Sequence, residues 1–239
     1  MINNIITLLR EILKEIEKDN PYGLIGKGGT ILAIYHLNHR DSQDLDFDCL
    51  LENEDKDFET YFKSIFDKVT EKHKLTYRVN KTSFSQTGRF HMGITFSTYK
   101  DLAPTKMEIN FIDSLPDDLI ELGEMKFYPL EHIFFQKLAA SADRGALKDL
   151  IDIGFALKSK EPTLDGKKLE KYGDITSLIG KAISTIERLE KNPKEWKAEF
   201  AATDLKFDIN ERNFPQFINK TKGELYKLKS FFKKKPLEP

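Results

Sequence analysis

A strand-like run with an acid at every second position restricts how this sequence can fold. In it, Asp44, Asp46 and Asp48 alternate with three apolar residues, Leu45, Phe47 and Cys49. Successive side chains of a strand point to opposite faces, so we predict one buried face and one acidic face. Three neighbouring carboxylates repel one another unless cations neutralise them, and hard oxygen ligands of this kind suit Mg²⁺ or Mn²⁺. The run therefore predicts a metal-binding strand.

A glycine-rich turn precedes this strand, with a predicted helix between them. Gly26, Gly28 and Gly29, in the stretch GKGGT, lead into a predicted helix with the sequence TILAIYHL. Small residues let the backbone approach a ligand closely, and the first N–H groups of a helix favour an anion. Each pattern is weak alone, because roughly 6 acid-x-acid pairs arise by chance at this acid content and the turn lacks the order of a P-loop. Together they predict one site that binds phosphate through the turn and metal through the strand.

Two later segments carry polar residues that suit the same chemistry. In TKMEINFID, Met107, Ile109 and Phe111 form an apolar face opposite Glu108. Glu108 is a candidate third metal ligand, and an exposed strand acid is the alternative interpretation. In PLEHIFFQKLAASA, Lys137 lies among apolar residues, so a counter-charge is expected nearby, and a nucleoside triphosphate is one candidate.

Other charged residues near these motifs carry weaker signals. The roles of three of them stay open from the sequence alone: Asp48, Arg144 and Asp152. Three more are interpreted as surface residues, because most charged side chains are solvated: Lys27, His36 and Arg40. Asp149 opens a predicted helix, where pairing with neighbouring charges and the helix dipole also explain an acid.

Hydrophobic periodicity divides the chain into an α+β part and a helical part. One amphipathic helix precedes the glycines, and residues 55–73 form another. Three strand-like runs follow and predict an antiparallel or mixed sheet: KLTYRVNKT, RFHMGITFSTY and TKMEINFID. From Pro129 onward the spacing is helical. We therefore predict an α+β fold with two domains, residues 1–128 and residues 129–239.

Composition narrows the class of protein further. With 39% hydrophobic and 32% charged residues in 239, the chain is typical of soluble proteins. Its first apolar segment is interrupted by charges, so we expect neither a signal peptide nor a spanning helix, and a cytoplasmic location; the single cysteine fits a reducing compartment. From Leu157 onward, 19 Lys and Arg stand against 13 Asp and Glu. This half either attracts a polyanion or carries a lysine-rich solvated surface.

The order of the motifs resembles the AbiEii/AbiGii-type toxin family of the nucleotidyltransferase superfamily, which is related to DNA polymerase β. The resemblance runs from about Gly23 to Ile153, through GGT, DSQDLDF, a lysine-bearing helix and RGALKDLIDI. It implies a polymerase-β-like mixed sheet flanked by helices, followed by a helical bundle. It also implies transfer of a nucleotide from an NTP, with Mg²⁺ or Mn²⁺, to an acceptor that in studied toxins is transfer RNA. A cognate antitoxin is an implied partner.

The resemblance also implies roles for particular residues. Three residues of the turn would hold the triphosphate: Gly28, Gly29 and Thr30. Asp44 and Asp46 would bind metal, with Glu108 as the third ligand in place of the more usual Asp. Lys137 would contact phosphate, and Asp149 would match the conserved aspartate of the second helix. We therefore expect a nucleotidyltransferase.

Two other interpretations stay open. A non-catalytic relative would bind nucleotide without transferring it, and the unusual third carboxylate favours this alternative. A metal-dependent nuclease would also use an acid cluster. The glycine turn and Lys137 argue against a nuclease, because that enzyme has no triphosphate to hold.

Overall fold

A computed structural model describes residues 4–85, 88–97, 102–161, 163–201, 203, 205–206 and 209–233. The chain forms two compact units. The first, which we call the sheet unit, comprises Met1–Tyr35 and Asp41–Pro129. The second, which we call the helical unit, comprises His36–Arg40 and Leu130–Pro239.

The sheet unit is built on a mixed sheet. Its strands are β1 (Ile25–Lys27), β2 (Asp44–Leu50), β3 (Thr76–Phe84), β4 (Arg89–Ser97), β5 (Leu102–Ile112), β6 (Ile120–Leu122) and β7 (Met125–Phe127). Their order across the sheet is β3-β4-β5-β2-β1-β7-β6. β2 runs parallel to β5 and antiparallel to β1, and β1 runs parallel to β7. The other neighbouring pairs are antiparallel. The predicted α+β fold is therefore confirmed.

Helices cover the apolar face of this sheet. They are α1 (Ile5–Lys18) and α3 (Phe58–His73); a further helical segment consists of α2 (Gly28–Ile31) and a π-helical turn, Leu32–Leu37. The apolar side chains of β2 are buried as predicted, and the rings of Phe47 and Phe62 lie 6.1 Å apart. α3 begins three residues later than predicted, because the Asp57 carboxylate accepts a hydrogen bond from the Thr60 N–H and so caps the helix there.

The helical unit contains α4 (Leu130–Asp143), α5 (Leu147–Lys158), α6 (Gly166–Leu169), α7 (Ile175–Lys191), α8 (Pro193–Ala201) and α9 (Phe214–Lys233). Aromatic residues form much of its core, and Trp196 lies 4.9 Å from the Phe214 ring. The segment His36–Arg40 belongs to this unit, where Arg40 forms an isolated β-bridge with Leu205. Within the described ranges, every helix is too short or too polar to span a lipid bilayer.

Candidate active site

The register of β2 against β5 assembles a polar face on the sheet. Asp46 is the Cα partner of Glu108, and Asp44 is the partner of Lys106. Side chains of paired residues lie on the same face of a sheet, so these four groups are neighbours. Asp44 and Asp46 are both half-buried, whereas Leu45 between them and the residues from Phe47 to Cys49 after them are buried. The two aspartates therefore keep access to solvent while their strand is fixed by the core.

The glycine turn lies directly against these aspartates. Gly28 has a φ of 76°, a conformation that favours glycine. A Cβ on Gly28 would overlap the Asp46 carboxylate, so only glycine lets the turn approach the strand this closely. No side chain caps the start of α2, where Lys27 is the capping residue. The first N–H groups of that segment are therefore left for other acceptors.

Thr30 fastens this turn to β2. Its side chain is 1% exposed, and its hydroxyl donates a hydrogen bond to the backbone carbonyl of Asp44. Because this hydrogen bond occupies the hydroxyl proton of Thr30, a bound phosphate would accept hydrogen bonds from the backbone of the turn and not from this hydroxyl. The structure thus brings together the predicted turn, Gly28 to Thr30, and the predicted metal-binding pair, Asp44 and Asp46.

Asp48 differs from the other two aspartates of β2. It is 5% exposed and forms an ion pair with Lys27. The Tyr128 hydroxyl donates to it at 2.6 Å, and the Asn110 amide donates at 3.4 Å. Burial and the Asp48 carboxylate both raise the pKa of Tyr128, which keeps that donor protonated. Asp48 is therefore a buried structural acid, and Lys27 is its partner rather than a freely solvated side chain.

Glu108 is surrounded by cationic side chains. It pairs with Lys106, with His91 Nδ1 at 3.7 Å and with Arg89 Nη1 at 3.9 Å. Burial raises the pKa of Glu108, but the hydrogen bond and charge of Lys106, together with the charges of His91 and Arg89, outweigh it, so the pKa lies below the usual value. The hydrogen bond to Glu108 raises the pKa of Lys106, and Asp44 and Asp46 add to this effect.

Lys106 was not a candidate in the sequence analysis. Its alternation with Glu108 along β5 is visible in the sequence, but its position beside Asp44 follows only from the strand register. The prediction that Glu108 is a metal ligand stays a prediction.

The oxygen donors of this face suit a magnesium ion. Mg²⁺ in proteins is usually held by one or two carboxylates, with water and substrate phosphate oxygens completing the shell. Asp44 and Asp46 supply two such carboxylates on one face. Across the residues that the structure describes, no group of three or more His, Cys, Asp or Glu side chains forms a metal site. The fit is thus to an ion that shares its coordination with a phosphate ligand.

A separate cluster of charges is buried in the helical unit. Lys137 Nζ lies 2.8 Å from Asp152 Oδ2 and 3.2 Å from Asp149 Oδ1. Both aspartates are 0% exposed. Burial lowers the pKa of Lys137, but the charges of Asp152 and Asp149 outweigh this effect and the pKa is raised. The counter-charge predicted for Lys137 is therefore supplied by this chain, and its contact with a triphosphate stays a prediction.

Three further side chains contact these two aspartates; His39 and Arg40 are buried, and Arg144 is exposed. Arg40 donates to both oxygens of Asp152, at 2.6 and 2.9 Å. Arg144 donates to both oxygens of Asp149, at 2.8 and 2.9 Å. His39 Nε2 lies 2.7 Å from Asp152 Oδ1. The cluster thus holds three permanent cations against two carboxylates.

Arg40 corrects the sequence analysis. It was interpreted as a surface residue, but it is 5% exposed because its guanidinium lies against Asp152 inside the helical unit. His39 was not a candidate either. Its partner, Asp152, lies 113 residues further along the chain, so no local sequence pattern predicts the pair.

Comparison with known proteins agrees with this architecture. The model of the family described as nucleotidyl transferase AbiEii toxin, type IV TA system, matches residues 24–220. No curated protein matches the chain. Among solved structures, JHP933 from Helicobacter pylori aligns with a TM-score of 0.63 and 19% identity, over 97% of this chain and 93% of that one. A "putative nucleotidyltransferase" from H. pylori aligns with a TM-score of 0.57 and 21% identity, over 94% and 91%.

The fold and the acidic face define a nucleotidyltransferase-type α+β protein with C-terminal helices. The family match spans most of the chain, so the protein belongs to the AbiEii family of nucleotidyltransferase toxins, whose members are toxins of type IV toxin–antitoxin systems. The two solved structures share the fold at low identity.

Proposed function

We propose that this protein transfers a nucleoside monophosphate from an NTP to an acceptor hydroxyl on RNA, with pyrophosphate as the leaving group and transfer RNA as the expected acceptor, and that Mg²⁺ or Mn²⁺ is required. The observation that carries the proposal is the contact between Gly28 and Asp46. A side chain at position 28 would overlap the Asp46 carboxylate, so the turn and the acidic strand meet only because residue 28 is glycine.

In the sheet unit, the glycine turn binds the triphosphate and the acidic strand binds the metal ion. The backbone N–H groups of Gly28 and Gly29, at the uncapped start of α2, bind triphosphate oxygens. Asp44 and Asp46 hold the metal ion. The ion, when bound, neutralises charge on the phosphate oxygens and polarises the α-phosphate. Thr30 keeps the turn at its distance from β2 through its hydrogen bond to Asp44.

Glu108 and Lys106 set the charge beside this pair. We propose that Glu108 would be the third carboxylate that holds the ion. Lys106, which pairs with Glu108, would offset negative charge on the triphosphate. From the family we carry over a phosphate contact for Lys137 and a role for Asp149 in holding Lys137 charged and oriented, which their 3.2 Å ion pair supports.

The acceptor and the partner are part of the proposal. Membership of a toxin–antitoxin family supports a cognate antitoxin that restrains the activity in the cell. The excess of Lys and Arg after Leu157 supports a polyanionic acceptor.

The test is incubation of the purified protein with each α-³²P-labelled NTP, Mg²⁺ and total cellular RNA. We expect label on RNA from the wild type and a loss of at least about 100-fold in Asp46→Asn, since a neutral amide cannot replace the carboxylate charge. Asp113→Asn, an exposed acid just after β5, is the matched control and should label RNA normally.

Each other outcome assigns a different activity. NTP binding by calorimetry without label on RNA, protein or small molecules would identify a non-catalytic relative. Shortened, unlabelled RNA that depends on Asp46 would identify a nuclease. Full labelling by Asp46→Asn would show that the acidic strand is not required for transfer.

A further inference from the structure

The helical unit contains a cavity of about 690 Å³ that none of the proposed catalytic groups of the sheet unit lines. Its walls are the C-terminal end of α4 with the turn that follows, one face of α7, and Lys229 of α9. The face of α7 presents small side chains, among them Ser177, Gly180 and Ser184. Small side chains leave the floor of the cavity open to a bulky ligand.

Positive charge dominates the lining of this cavity. Four cationic side chains, Arg144, Lys181, Arg188 and Lys229, stand against one acid, Asp143. Two of the four already have acidic partners. Arg188 Nη2 lies 3.1 Å from Glu195, and Arg144 pairs with Asp149.

Lys181 and Lys229 lack such partners. Neither ammonium has an ion pair or hydrogen bond with any part of the chain that the structure describes. Both residues line the same cavity, and a Cβ on Gly180, the residue before Lys181, would be 2.8 Å from Lys229 Nζ. Two uncompensated positive charges that line one cavity favour an anionic ligand there.

The cavity is long enough to hold several linked phosphate groups and not only a single anion. Its lining extends along α7 from Ser177 to Arg188, which is roughly 16 Å at 1.5 Å per residue. A nucleic-acid strand carries one phosphate per about 3.4 Å of rise, so several consecutive phosphates fit along this face. Arg188 donates to the Gly145 carbonyl at 3.4 Å, and its guanidinium is therefore held at the far end of the row.

We propose that this face, defined by Arg144, Lys181, Arg188 and Lys229, binds the phosphodiester backbone of an RNA strand. The strand contributes phosphate oxygens, Lys181 and Lys229 supply the uncompensated charge, and Arg188 binds a phosphate at the end of the face nearest Gly145. The inference rests on the proposed function in one respect, which is that the bound strand serves as the acceptor. Binding itself requires no transfer.

The test is fluorescence anisotropy with a labelled 20-nucleotide RNA at several salt concentrations. We compare the wild type with Lys181→Gln/Lys229→Gln and with Lys191→Gln/Lys194→Gln. The second pair removes the same charge from exposed positions of the same unit outside the cavity, so it controls for net charge. Thermal unfolding followed by Trp196 fluorescence verifies that both double variants are folded.

The expected result is specific to the cavity. Lys181→Gln/Lys229→Gln weakens binding at least about 10-fold and reduces the slope of log K against log salt by about 1.4, because each lost contact with a single strand contributes about 0.7. Lys191→Gln/Lys194→Gln stays within about 2-fold of the wild type with an unchanged slope. Equal losses in the two pairs, or no loss in the first, would overturn the proposal.

Two further arms identify the ligand and separate the hypotheses. Competition by ATP or inorganic phosphate as strong as that by unlabelled RNA, at equal phosphate, would show a site for small phosphates and would also overturn the proposal. Asp44→Ala/Asp46→Ala should bind RNA as the wild type does. If that variant binds RNA normally and the wild type still transfers nothing, the proposed function fails while the binding face stands.

Discussion

The acidic face of the sheet unit and the buried cluster of the helical unit contain the same kinds of side chain in opposite states. Asp44 and Asp46 are half-buried, and the cation beside them, Lys106, is about half exposed. Asp149 and Asp152 are fully buried, and each is held by two cations. Exposure, rather than residue type, separates the two regions.

This difference indicates what each region can do. A half-exposed carboxylate can exchange a lysine for a metal ion, because water lowers the cost of each intermediate state. A buried ion pair is costly to open, since the separated charges lose both water and partner. The acidic face is therefore suited to bind and release ligands, and the buried cluster is suited to hold a fixed geometry. Asp48 shows that both states occur within one strand.

The largest expected effect is on the buried cluster. Asp152→Ala removes the partner of Arg40, Lys137 and His39 and leaves two cations buried, so we expect a loss of about 3–5 kcal/mol in the free energy of unfolding. Urea unfolding followed by Trp196 fluorescence measures it, because the single tryptophan lies in the helical unit. Asp143→Ala, an exposed acid at the end of α4, should change stability by less than about 0.5 kcal/mol. Similar effects of the two substitutions would show that burial does not distinguish them.

The contact between the turn and the strand ranks second. Gly28→Ala should destabilise the sheet unit by more than Gly23→Ala, although both glycines have positive φ. The conformation costs about 1–2 kcal/mol in either case, but a Cβ at position 23 meets nothing within 4 Å while one at position 28 overlaps Asp46. Circular dichroism during urea unfolding compares them. The larger loss of stability in Gly28→Ala should shrink in an Asp46→Ala background. Equal losses at the two glycines would show that the close contact with Asp46 does not contribute to stability.

The pH dependence of the helical unit gives a smaller effect. Burial lowers the pKa of His39 more than the Asp152 carboxylate raises it, so this ring binds a proton less readily in the folded protein than in the unfolded chain. In the unfolded chain a histidine binds a proton near pH 6.5. The contribution of His39 to the free energy of unfolding is therefore fully present above that pH. It declines as the pH falls below about 6.5, by at most about 1.4 kcal/mol per pH unit. Urea unfolding at pH 7.5, 6.5 and 5.5 measures the decline. His39→Gln should remove it, and an unchanged pH dependence in that variant would assign it to other groups.

The smallest stability effect is expected at the acidic face. Asp46→Asn should alter the free energy of unfolding by no more than about 0.5 kcal/mol, because the side chain is half-exposed and the change relieves repulsion from Asp44. The same substitution is expected to abolish transfer. Urea unfolding beside the labelling assay verifies both; a loss of stability comparable to that of Asp152→Ala would make Asp46 a structural acid and would erase the contrast between the regions.

The sequence sufficed for features that depend on neighbouring residues. The alternation in β2, its buried apolar face and the class of fold all follow from periodicity, and the structure confirms them. The short strands β1, β6 and β7, of three residues each, escaped prediction because so few residues show no periodicity. Arg40 was placed wrongly and Lys106 was missed, since burial by a distant partner and strand register are properties of the fold and not of the local sequence.

The assignment of His36–Arg40 to the helical unit has a consequence for synthesis on the ribosome. Arg40 and Asp152 are 112 residues apart, so at about 5–20 residues per second the arginine emerges roughly 6 to 22 s before its carboxylate. During that interval Asp152, the partner of His39 and Arg40, has not yet been synthesised. The ion pair between Arg40 and Asp152 therefore forms only after α5 has been synthesised, and a ribosome that stalls before residue 152 would hold a chain that lacks this pair.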